Sequence, residues 1–169
     1  ESLVEADAAG AFGARVSGRF TELAVPAGTG ALISGRSQLA ELGLSDTQLF
    51  GGSVAMDGPG NSGRSVVLFN CLFDGANLSL ASTANSLGAS LRQLTFRECR
   101  VDLAPSPTDN WTLQDSLFSE AECVAALQGI LQDYNAYHRS TNIAGGQRVP
   151  ISTLPAPTNS LRSEEHTSE

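Results

Sequence analysis

Ser62 stands in the stretch Gly58-Pro-Gly-Asn-Ser-Gly63, where small residues put a hydroxyl on a tight turn. A serine becomes a nucleophile there only with a histidine base that a carboxylate orients. The histidines are His138 and His166, so none precedes Ser62, and turn chemistry alone accounts for a cluster of Gly, Pro, Asn and Ser. Asp46, Glu98 and Asp115 offer a second chemistry, because carboxylates gathered on one edge can cleave or bind sugars in pairs or hold calcium. Capping of the local backbone by the same residue types is the stronger reading. Trp111, Tyr134 and Tyr137 are the aromatic residues suited to stacking on sugar rings and are the candidate glycan contacts. Core or end-cap packing is the stronger reading for each of them. Cys71, Cys99 and Cys123 are odd in number and lack Cys-x-x-Cys spacing. They read as buried, apolar-like thiols rather than zinc ligands or a disulfide framework, although export would permit a Cys71–Cys99 bridge. His138, beside Arg139, reads as a solvated loop residue. No catalytic residue, metal ligand or cofactor is assigned.

Composition limits what could position these groups. Eighteen acidic and ten basic residues give a formal charge of −8, and every basic residue is arginine. Setting aside one arginine and three glutamates in the last eight residues leaves −6. An acidic chain of this kind disfavours nucleic acid as a partner, and no run of 18 apolar residues occurs that could span a membrane as a helix. Aromatic residues are 6% and glycines number 17, which favours many short strands and turns around one core.

The elements follow from internal repetition. Leu44-Ser-Asp-Thr-Gln-Leu-Phe-Gly-Gly-Ser-Val-Ala-Met56 overlays Leu68-Phe-Asn-Cys-Leu-Phe-Asp-Gly-Ala-Asn-Leu-Ser-Leu80 without gaps. That overlay puts Asp46 on Asn70, Leu49 on Phe73, Gly51 on Gly75 and Val54 on Leu78. A third copy over Leu94–Leu103 and a fourth over Trp111–Cys123 are degenerate, and their aligned polar position reads Asp46, Asn70, Glu98, Asp115. Apolar residues alternate within each copy, as in Leu78 and Leu80 or Val101 and Leu103, which is the period-two signature of half-buried strands. Such a unit cannot bury its own apolar face and must stack on neighbours. The inward residues are then Leu49, Val54, Met56, Leu68, Phe73, Leu78, Leu80, Phe96, Val101, Leu103, Leu113, Phe118 and Cys123. The best helical candidate is Ser119–Gln132, rich in Ala, Leu and Glu, as a short helix inserted between coils.

The pattern Val67-Leu-Phe-Asn-Cys-Leu-Phe73, Asn110-Trp-Thr-Leu-Gln-Asp-Ser-Leu-Phe118 and Asp133-Tyr-Asn-Ala-Tyr137 resembles bacterial right-handed parallel β-helix repeat proteins of pectate-lyase-like architecture. The resemblance covers residues 40 to 140. It implies an all-β, right-handed parallel β-helix (β-solenoid) and a secreted or cell-surface setting. Lyases of this architecture use lysine or arginine as base beside calcium-binding aspartates, whereas this chain has no lysine. Gly-Asn-Ser-Gly at residues 60–63 is similar to the nucleophile loop of trypsin-like and glutamyl-type serine proteases. Two departures set that similarity aside: no histidine precedes the serine, and Arg64-Ser65 replace the Gly-Pro that follows in those proteases.

Residues 1–36 read as a poorly defined first coil or N-terminal extension, 37–141 as the β-helix coils and 142–161 as an irregular exit or linker. Arg162–Glu169 resembles one reading frame of a common sequencing adapter and is set aside as a non-native tail. With Glu1 in place of an initiator, the expectation is a fragment of a longer protein, of metagenomic type. The expected function is a non-enzymatic extracellular segment acting as a structural, adhesive or surface-binding scaffold. The alternative is a carbohydrate-active β-helix that binds or cleaves a polysaccharide or cell-surface glycan.

Overall fold

The computed structural model describes residues 4–5, 13–26, 30–35, 39–56, 63–82, 87–125, 130–144 and 147–150. The Asn61-Ser62 turn and the Arg162–Glu169 tail lie outside the described residues. The strands are β1 (Val4–Glu5), then six triplets, then one more. The first two triplets are β2 (Ala14–Arg19), β3 (Glu22–Ala24), β4 (Ala31–Ser34), and β5 (Leu39–Ser45), β6 (Gln48–Phe50), β7 (Ser53–Met56). The middle two are β8 (Arg64–Phe69), β9 (Leu72–Asp74), β10 (Asn77–Ala81), and β11 (Leu87–Arg92), β12 (Thr95–Arg97), β13 (Arg100–Ala104). The last two are β14 (Trp111–Gln114), β15 (Leu117–Ser119), β16 (Glu122–Ala125), and β17 (Ile130–Asp133), β18 (Ala136–His138), β19 (Thr141–Ala144), after which comes β20 (Gln147–Pro150).

Each triplet is one coil. The first strands of the triplets form a six-stranded sheet, the second strands another, and the third strands, with β1 and β20, an eight-stranded one. Pairing is parallel throughout except between β19 and β20, which are antiparallel. The chain is therefore an all-β solenoid, a parallel β-helix, with no helix among the described residues. In the second sheet the partners Leu23, Leu49, Phe73, Phe96, Phe118 and Tyr137 are 26, 24, 23, 22 and 19 residues apart. The repeat of 24 holds for one step, and each later coil is shorter.

The thirteen residues expected to point inward are all buried, none more than 3% exposed. β10 and β13 alternate buried and accessible positions as the period-two pattern requires. Phe73, Phe96, Phe118 and Tyr137 stack in one column with ring centroids 5.0, 4.9 and 4.8 Å apart. That spacing is the separation of neighbouring strands, about 4.7–4.9 Å, so the backbone ladder and the ring stack keep the same step.

The helical expectation for Ser119–Gln132 is overturned. That segment carries the end of β15, all of β16 and most of β17, with residues 126–129 outside the description. Ala and Leu have good helix propensity, yet propensity is a weak prior. Parallel pairing of β16 with β13 and of β17 with β14 supplies a full ladder that a helix there would break. Within the stretch read as an irregular exit, β19 and β20 are strands, and residues 151–161 lie outside the description.

Candidate functional site

Two corners are built alike in successive coils. Between the first and second sheets the chain turns in two residues, and the first of them has positive φ: Phe20, Asp46, Asn70, Gln93, Asp115 and Tyr134. Between the second and third sheets the same position holds Gly51, Gly75, Glu98, Glu120 and Arg139. Side chains pay about 1–2 kcal/mol for that left-handed geometry. Its N–H is satisfied by the next coil, as in Asp46 N–H to Phe69 O at 3.0 Å and Asn70 N–H to Arg92 O at 3.1 Å. Where the residue after it is Ser or Thr, its hydroxyl caps the strand before it. Thr47 Oγ1 donates to Ser45 O at 2.9 Å and Ser116 Oγ to Gln114 O at 2.8 Å, whereas Asn135 Nδ2 reaches across to the neighbouring coil and donates to Leu113 O at 2.8 Å.

This geometry redraws the expected polar ladder. Asp46, Asn70 and Asp115 do share the first corner, but Glu98 sits at the second, and Gln93 takes its place. The fourth coil places Phe96 on Phe73, so Glu98 falls on the Gly75 position. Asp46 and Asp115 are then three coils apart, about 14 Å at the spacing of paired strands. Carboxylates that work as a glycosidase pair are about 5–9.5 Å apart. Asp46 is also engaged, accepting from Asn70 Nδ2 at 2.8 Å and Arg19 Nε at 3.4 Å.

The aromatic candidates do not converge. Trp111 is fully buried and donates its Nε1–H to Leu87 O at 2.7 Å. Tyr137 ends the inner aromatic column, and its hydroxyl donates to Gln132 Oε1 at 3.0 Å. Only Tyr134 shows a substantial face to solvent, at 44% exposure on the first corner. His138 ends strand β18 rather than lying in a loop; it is exposed, with Nδ1 3.4 Å from Ser119 Oγ. All three cysteines are free and buried. Burial pushes the Cys99 and Cys123 thiols up to about 12 and raises Cys71 as well, so none is a nucleophile near neutrality.

Sequence reasoning passed over a trough that runs along the first corner. One depression, about 380 Å³, lies among Phe20, Asp46, Gln48, Asn70, Leu72, Gln93 and Thr95. A second, about 410 Å³, lies among Gln93, Thr95, Asp115, Leu117, Tyr134 and Ala136. Gln93 and Thr95 belong to both, so the two join end to end across the six coils. The side chains of Gln48, Gln93, Thr95 and Asp115 make no hydrogen bond to the described residues. Elsewhere on the outside, four arginines are matched to polar groups of adjacent coils: Arg97 with Asp74 at 2.7 Å, Arg100 with Glu122 at 3.0 Å, Arg92 with Gln114 at 2.9 Å and Arg139 with Glu120 at 3.3 Å. Among the described residues no group of His, Cys, Asp and Glu is placed to hold a metal ion.

No family model matches the chain, and neither does any curated protein or solved structure.

Proposed function

We propose that this chain is a non-enzymatic segment of a secreted or cell-surface bacterial protein, a right-handed β-helix of pectate-lyase-like architecture that serves as a surface-binding scaffold. The observation that carries this reading is the use made of its outward polar groups. Arginines and carboxylates are matched coil to coil, so they hold the stack together rather than converge on a reacting atom. Each such exposed pair contributes at most about 1 kcal/mol, but together they specify the register of the stack along its outside. Among the described residues the exposed large apolar ones, Phe20, Val67, Phe69, Leu117, Leu131 and Tyr134, all lie on the first sheet, the first corner or the adjoining second-sheet strand, which gives the scaffold one adhesive side.

The carbohydrate-active reading is favoured by the trough alone, as a place where a polysaccharide or cell-surface glycan could bind. The two readings part in one experiment. The purified chain is incubated with a panel of insoluble and soluble polysaccharides, scoring both co-sedimentation and the release of reducing or unsaturated ends. Binding without product supports the scaffold; turnover sinks it in favour of an enzyme, and absence of any binding removes its surface-binding role.

A further inference from the structure

We infer that the trough along the first corner binds an uncharged, hydroxyl-rich linear glycan, laid in extended form along the solenoid axis with about one sugar unit per coil. The inference rests on the surface-binding reading above and names the ligand class and the place. Four side chains there, Gln48, Gln93, Thr95 and Asp115, are polar and unpartnered among the described residues. Amides, a hydroxyl and a carboxylate both donate to and accept from sugar hydroxyls, which suits a few placed polar groups over an apolar floor. Leu72 and Leu117 supply that floor.

The ends of the trough carry the exposed rings. Tyr134 stands at one end and Phe20 at the other, Phe20 with Arg19 over one face at 4.6 Å. Each ring keeps accessible surface for the apolar face of a pyranose. Corner groups recur once per coil, at the separation of paired strands, about 4.7–4.9 Å. A linear chain laid along the axis therefore meets one corner side chain at each coil, from Phe20 through Asp46, Asn70, Gln93 and Asp115 to Tyr134.

Charge selects the class. The trough holds Asp46 and Asp115, and the strand ends beside it hold Asp133 with two arginines, Arg19 bound to Asp46 and Arg92 to the neutral Gln114, so carboxylates outnumber cations along this edge. The chain as a whole carries −8. A polyuronate would bring like charge against this edge, whereas neutral hydroxyls satisfy it.

Positive φ at the corner makes a clean test available, because glycine there removes the side chain without straining the backbone. Isothermal titration calorimetry on the full chain would compare cellohexaose, mannohexaose and xylohexaose with hexagalacturonate. The variants are Gln93→Gly and Tyr134→Gly in the trough, with Glu98→Gly at the other corner as control, each checked by thermal melting. At least one neutral hexamer should bind, hexagalacturonate should bind at least about tenfold more weakly, and the two trough variants should each lose about tenfold while the control does not. Equal or tighter binding of the acidic hexamer overturns the inference, as does failure of every neutral hexamer to bind. Competition by a polar, uncharged peptide as effective as the sugar also overturns it. If glycan binding persists undiminished in both trough variants, this placement is wrong while the surface-binding reading stands. Loss of binding to every polysaccharide in the co-sedimentation experiment would remove both.

Discussion

The first two corners of each coil and the third differ in what they tolerate. Five coils in succession, from Asp46 to Arg139, turn at both short corners in two residues with the first at positive φ. The third corner, from the third sheet back to the first, runs from four to seven residues in the same stack. The short corners flank the three-residue strands of the second sheet, and the first of them carries inward caps such as Thr47 and Ser116, so they set the angle at which one strand feeds the next. The third corner sets no such angle. Together with shorter first-sheet strands, it absorbs the decline of the repeat from 24 to 19 residues while the inner columns stay in register. A solenoid can thus drift in length without drifting in core.

The largest test of this contrast is insertion. Gly-Ser placed between Asp46 and Thr47 should abolish cooperative melting by circular dichroism, because it displaces a cap and shifts β6 out of register. The same pair between Pro107 and Thr108, in the third corner, should leave melting cooperative and cost about 1–3 kcal/mol, the two hydrogen bonds between Ser106 and Asp109 that it opens. Equal effects would show the corners to be equivalent.

Next in size is the inner column against the outer one. Phe96→Ala removes the middle of a four-ring stack and should cost about 3–5 kcal/mol in chemical denaturation. Leu117→Ala, on the outside of the same sheet, should cost about 0.5 kcal/mol or less. A small loss at Phe96 would mean that outward pairs, not the core, hold the coils.

The thiols give a pH test. Cys99 and Cys123 hold their protons up to about 12 when folded, whereas an unfolded thiol releases its proton near 8.5–9. The folded state therefore binds more protons in that window, and stability is present below about pH 9 and falls as pH rises toward 12. At about pH 11 the loss should be of order 3 kcal/mol per thiol, and Cys99→Ala should flatten the slope. Folded protein should also react slowly with a disulfide reagent at pH 8, where a fast burst would show an open thiol.

The smallest effect separates the two residue types at one corner. Gly75→Ala should cost about 1 kcal/mol through positive φ, since an added Cβ meets nothing closer than 4.0 Å, and Glu98→Gly should be neutral or slightly stabilising. A costly Glu98→Gly would assign that side chain a structural partner.

Legibility in the sequence followed the range of the forces. Alternation in Leu78 and Leu80 or Val101 and Leu103 named the core, since burial depends on which face of a strand a residue occupies. The offset of 24 was readable where two copies align without gaps, and it put Asp46 and Asn70 on one corner, where they hydrogen-bond. Tyr134, Asp46 and Asp115 were visible as candidates. Gln48, Gln93 and Thr95 were not, because amides and hydroxyls become a trough only when coils are stacked in known register. The inward caps Thr47, Cys71 and Ser116 carried a faint signal, a hydroxyl or thiol just after the corner residue.

By itself, then, the sequence determined that the chain is β, repetitive and built around thirteen inward residues, because side-chain burial and period-two alternation are local properties. Tertiary structure alone decided that Ser119–Gln132 is strand and that Glu98 belongs to the second corner. Those outcomes depend on hydrogen bonds between residues 19 to 26 apart, and the register of such pairs changes from coil to coil with the length of the third corner.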